Sequence, residues 1–70
     1  MMPLTMADSG STNYIKKVGG SSEMKRHLET LGFVAGVGVT VISRLNGNLI
    51  VNIKDSRVAL SKEMANKIMV

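Results

Sequence analysis

Two alternating apolar runs on either side of an Asn-Gly pair constrain this chain more than any other feature. After Gly36, Val37, Val39 and Val41 alternate with Gly38, Thr40 and Ile42, and beyond Asn46-Gly47 a second run carries Leu49, Val51 and Ile53. A period of two lines one face of each run with apolar side chains, so the segment reads as two antiparallel strands joined by a hairpin. Register then argues loop length. A two-residue Asn46-Gly47 loop pairs Val41 with Asn52 and Val39 with Lys54, which sets valines beside polar groups. A three-residue loop, Leu45 to Gly47 with Gly47 left-handed, pairs Val41 with Val51 and Val39 with Ile53 and is the expected form. It also sets Ile42 opposite Ile50 on the other face, beside Thr40, Arg44, Asn48 and Asn52.

Shorter elements surround the hairpin. Met1 to Gly10 ends in the turn signal Asp8-Ser9-Gly10 and reads as a turn or one loose helical coil, with Leu4 and Met6 placed to reach the core. Thr12 to Val18 reads as a strand that Gly19-Gly20 breaks. Ser21 and Ser22 offer N-cap hydroxyls, Glu23 places negative charge in the first turn, and Met24, Leu28 and Leu31 recur at helical spacing. Gly32 ends that helix as the left-handed residue beyond the cap, with Phe33 folding back onto Leu28. Asp55-Ser56 turns the chain into a strand from Arg57 to Leu60, Ser61 caps a turn of helix containing Glu63 and Ala65, and Ile68 to Val70 makes a last strand.

Seventy residues without cysteine make one domain, 1–70, with one core and no covalent staples. Five short strands in so little chain must curl to cover their own edges. The expected fold is mainly β: a small SH3-like, five-stranded, partly open barrel with one short α-helix and a C-terminal helical turn.

Charge and aromatic content narrow the partners. Nine Lys and Arg against five Asp and Glu give +4, but the basic residues are dispersed, with doublets only at Lys16-Lys17 and Lys25-Arg26, which argues against a nucleic-acid arm. Tyr14 and Phe33 are the whole aromatic supply, too few for a stacking platform or a proline-peptide groove. The uncharged stretch from Leu31 to Ile42 is too short to span a bilayer, and no secretory signal opens the chain, so the expected compartment is the cytoplasm, without membrane insertion.

Candidate chemistry is sparse. His27 is the sole histidine and shares a helical face with Met24 and Leu31; a half-buried position at the core edge explains it better than metal ligation. Met24, Met64 and Met69 fit the core rhythm and Met1, Met2 and Met6 a tail, against a reading of six methionines as soft ligands. Gly19-Gly20-Ser21-Ser22 lacks the Gly-Lys-Ser/Thr of a phosphate loop, and Glu23 would repel an anion there. With His27 alone as base and no carboxylate pair in a cleft, no enzyme, cofactor, metal site or small-molecule substrate is expected. Protein contact remains. The candidate partner-binding residues are Ile42 and Ile50 with Arg44 at their rim, and Leu28 on the helix; the simpler alternatives bury the isoleucine pair in a second small core and make Leu28 core alone.

The run from Leu28 to Ile42, Leu-Glu-Thr-Leu-Gly-Phe-Val-Ala-Gly-Val-Gly-Val-Thr-Val-Ile, resembles the FeoA family. Leu4 to Gly10 resembles that family's opening turn, Arg57 to Leu60 its penultimate strand, and Ala65, Ile68 and Val70 its closing pattern. The resemblance covers nearly the whole chain, with Ala35 where the family usually has proline and a shorter hairpin tip at Leu45 to Asn48. It implies an SH3-like barrel serving bacterial ferrous-iron uptake as a cytoplasmic regulator, monomeric or weakly self-associating, that docks on the FeoB-type GTP-dependent membrane iron permease. The alternative is an SH3-like regulatory module of metal-dependent transcriptional repressors.

Overall fold

The computed structural model describes residues 1–70. A 3-10 turn at Leu4–Met6 precedes β1 (Thr12–Tyr14) and β2 (Lys17–Val18). Helix α1 (Ser22–Thr30) follows, then β3 (Gly38–Leu45), β4 (Asn48–Ile53), β5 (Ser56–Leu60), α2 (Lys62–Ala65) and β6 (Ile68–Met69). One antiparallel sheet runs β1-β3-β4-β5, and β2 pairs with β6 in a second, two-stranded sheet.

The hairpin keeps the predicted valine pairs by a different route. Val39 faces Ile53 and Val41 faces Val51, as the apolar pattern requires, but Leu45 pairs with Asn48, so the loop is the two residues Asn46-Gly47. Both are left-handed, at φ 53° and 84°, the form that matches the twist of the flanking strands. The extra residue that a three-residue loop would absorb at Leu45 is taken up inside the strand instead: the register shifts between Val41 and Ser43, and Ile42 is the extra residue of a β-bulge. Ser43, not Ile42, faces Ile50. The next turn is likewise Lys54-Asp55, at φ 46° and 62°, rather than Asp55-Ser56, because Ile53 pairs with Ser56.

The expected single strand from Thr12 to Val18 divides in two. Residues 12–14 pair with β3, the amide of Ile15 donates to Val37 (2.9 Å), and the amide of Lys16 turns to Met69 (2.8 Å). The segment therefore switches sheets at Ile15-Lys16, and the barrel corner lies there. Beyond β6 the two chain ends join: Met2 and Val70 exchange backbone hydrogen bonds at 2.8 Å each, and Pro3 bridges Met69. Met2 is thus held against the core rather than lying in a tail.

Helix α1 begins and ends where the sequence places its signals. The Ser21 hydroxyl accepts from the Met24 amide (3.1 Å). Gly32, at φ +100°, lets its amide reach Glu29 and the Phe33 amide reach Leu28, both at 2.9 Å, which is a Schellman closure. Leu28 and Phe33 are fully buried. Every one of the fourteen buried residues is apolar, and Leu4 and Ala7 bring the N-terminal turn into the core while Met6 stays 68 % exposed.

Candidate functional site

An interior made only of apolar side chains holds no group that can ligate, donate or accept, so whatever this chain recognises meets its surface. No three His, Cys, Asp or Glu side chains converge there either.

The outer face of the main sheet carries two rows of different character. Thr12, Thr40, Asn52 and Arg57 face one another in succession across β1, β3, β4 and β5, with the two threonine hydroxyls hydrogen-bonded at 2.7 Å. Beside this polar row, Ile50 lies between Ser43 and Ala59, with the bulged Ile42 preceding Ser43. Side chains alternate between sheet faces, and Val41 and Val51 are buried, so Ile42 and Ile50 share the outer face. Both are half-buried, neither closed into a second core nor fully exposed. Ile42 is the unpaired bulge residue beside the Ser43–Ile50 pair, not the direct partner of Ile50 that a three-residue loop would produce.

Arg44 leaves that face altogether. The extra residue at Ile42 reverses the alternation beyond it, and Arg44 pairs with Leu49, a core residue. At the sheet end its guanidinium reaches the N-terminal turn, donating to the carbonyls of Thr5 (2.9 Å) and Ala7 and to the Ser9 hydroxyl (3.2 Å). A cation expected at the rim of a docking patch is instead a strap between hairpin and turn. Leu28 is also absent from the surface: its complete burial makes it the helix anchor and removes it from any docking face.

His27 is exposed, not at the core edge, because α1 inserts only Leu28 fully and rests Met24 and Leu31 partly on the core. It lines a shallow depression with Ser21, Glu23, Met24 and Met64. Gly19-Gly20 runs along the second sheet, with the Gly19 amide bonded to Lys67 (2.7 Å), and serves as the helix entry. Two surface features lie outside the residues singled out from the sequence. Ala59 adjoins Ile50, which alternation within β5 could have indicated. Tyr14 is 65 % exposed with its ring against Gly38, a contact set by a pairing 24 residues apart in the chain that no local signal announces.

Comparison with known proteins places this geometry. The FeoA domain model matches residues 2–70. A protein of Methanocaldococcus jannaschii, provisionally named Fe(2+) transport protein A, is 33 % identical over 70 residues, spanning all of this chain and 85 % of the relative. Among solved structures, an iron uptake regulatory protein (FeoA) superposes with a TM-score of 0.90 at 23 % identity, over 99 % of this chain and 92 % of that one. FeoA of Stenotrophomonas maltophilia, described as a procaryotic SH3 domain protein and solved with zinc, superposes at 0.87 with 24 % identity over 100 % and 89 %. A manganese-dependent transcriptional repressor superposes at 0.86 with 22 % identity, over 94 % of this chain but 38 % of its own length. At these identities the solved structures establish the fold, a small SH3-like barrel. The family-model match over nearly every residue, together with the archaeal relative, establishes that this chain belongs to the FeoA domain family.

Proposed function

We propose that this chain is a regulatory adaptor of ferrous-iron uptake that docks, by protein contact from the cytoplasmic side, on a FeoB-type GTP-dependent iron permease. The observation that carries this reading is the FeoA domain match over residues 2–70. The surface is compatible with it: the row Ile42, Ile50 and Ala59 offers apolar area on a rigid sheet, and no helix is long and apolar enough to cross a membrane. An adaptor of this kind acts by binding one conformation of the permease better than another, which shifts their populations. Titrating isotopically labelled protein with the permease's isolated GTP-binding domain tests it. Amide shifts confined to the Ile42–Ile50–Ala59 row and its neighbours support the reading; unchanged spectra at high domain concentration overturn it.

A second reading draws on the repressor likeness, in which the matching part is 38 % of a longer chain. There the barrel serves as the regulatory module of a metal-dependent DNA-binding partner. Saturable binding to a helix-turn-helix repressor, with none to the permease domain, would favour it.

A further inference from the structure

We propose that Met24, His27 and Met64 form a binding site for a soft monovalent metal ion of the Cu(I) class. These three side chains, with Ser21 and Glu23, line one surface depression between α1 and α2. Two independent serine caps fix the methionines there. Met24 is the third residue of α1, its amide bonded to the Ser21 hydroxyl at 3.1 Å, and Met64 is the third residue of α2, its amide bonded to the Ser61 hydroxyl at 3.2 Å. Both side chains are half-buried against the core, and Met24 is backed by Gly20, where a Cβ would come within 3.2 Å of its Cγ. His27, three residues beyond Met24, adds an exposed imidazole.

The donor set chooses the metal. Thioethers are neutral and polarizable and select Cu(I), whereas calcium, magnesium and ferrous iron call for carboxylates, carbonyls or several imidazoles. The depression has one imidazole and one carboxylate to offer a hard or borderline ion, against two sulfurs for a soft one. Electrostatics also favours a single charge: Met24 sits in the first turn of the nine-residue α1, where the partial positive charge of the backbone opposes a divalent ion more than a monovalent one, and the Glu23 carboxylate in the same turn offsets it.

Silver(I), the redox-stable analogue of Cu(I), is the probe, followed through the methionine ε-methyl resonances of the full chain. The Met24 and Met64 methyls and the His27 ring are expected to shift together and saturate with a single ion per chain, ahead of Met1 and Met6, which are 74 % and 68 % exposed. Met24→Leu and Met64→Leu conserve volume and so keep the fold. Since loss of an outer-shell partner alone weakens metal binding about 10–100-fold, each of these changes and His27→Gln is expected to weaken silver binding by about tenfold or more. Met6→Leu should leave it unchanged. Equal shifts at all six methyls, unaltered affinity in the Met24 and Met64 variants, or tighter binding of zinc than of silver at these residues would each overturn the proposal. None of these readouts involves a protein partner, so the result stands apart from the docking reading.

Discussion

The Arg44 guanidinium donates to the Ala7 carbonyl across 37 residues of chain, and the bulge at Ile42 is what turns it toward that partner. With Thr5 and Ser9 also in reach, one planar fork holds the N-terminal turn on the hairpin. A lysine brings a point charge that cannot span the same acceptors. Arg44→Lys and Arg44→Ala are both expected to destabilise the fold, the alanine by about 1–2 kcal/mol, toward the low end for charged hydrogen bonds because the side chain is exposed. Urea denaturation measures the loss. Hydrogen exchange at the Gly10 amide, which donates to Val41 at 2.7 Å, should quicken in the same variants.

The two hairpin turns predict opposite responses to substitution. Gly47 at φ 84° is strained by any Cβ, so Gly47→Ala should cost about 1–2 kcal/mol. Lys54 and Asp55 hold left-handed angles of 46° and 62° without glycine. Combining Lys54→Asn with Asp55→Gly should raise stability by about 1 kcal/mol, since an asparagine followed by a glycine suits a two-residue turn of this hand. Denaturation midpoints decide both, and cross-strand contacts between Val41 and Val51 should persist throughout, because the bulge and the apolar face hold the register.

Leu28 and His27 are adjacent in sequence and opposite in consequence. Truncating a fully buried leucine costs about 2–5 kcal/mol, and a domain of this size rarely has more than about 3–5 kcal/mol to lose. Leu28→Ala should therefore leave much of the chain unfolded at room temperature, visible as lost chemical-shift dispersion. His27→Ala, on the exposed side of the same helix, should change stability by less than about 0.5 kcal/mol.

The helix end was legible from local signals, whereas the exact turn residues and the sheet switch depended on strand pairing. Gly32 followed by Phe33 announced the Schellman end of α1 because both donors close on residues of the same helix. The valine pairs of the hairpin were legible because only one register hides every inward side chain. The bulge was not: a three-residue loop and a two-residue loop with one extra strand residue yield the same pairs from Val41 back to Val39, and differ only at Ile42 to Leu45. The candidate site turned on those residues. Arg44 changed face, while Ile42 and Ile50 kept theirs without being paired. The split at Ile15-Lys16 was hidden for another reason, since its two hydrogen-bond partners, Val37 and Met69, lie 22 and 53 residues onward.

If the row through Ile50 meets a protein partner, its centre is the place to disrupt it. Ile50 is half-buried between Ser43 and Ala59 on a sheet whose opposite face is closed by Val41 and Val51, so a lysine there can extend into solvent without entering the core. Ile50→Lys is expected to keep the folded spectrum and to weaken binding of the permease's GTP-binding domain by about tenfold or more, the effect of losing a central contact residue. Arg57→Gln, in the neighbouring polar row, should change that affinity far less, as rim charges act mainly on association rate and salt dependence. Calorimetric titration of both variants separates the rows. Wild-type affinity in a folded Ile50→Lys protein would move the docking surface off this sheet face, and an equal loss in both variants would extend it across the polar row.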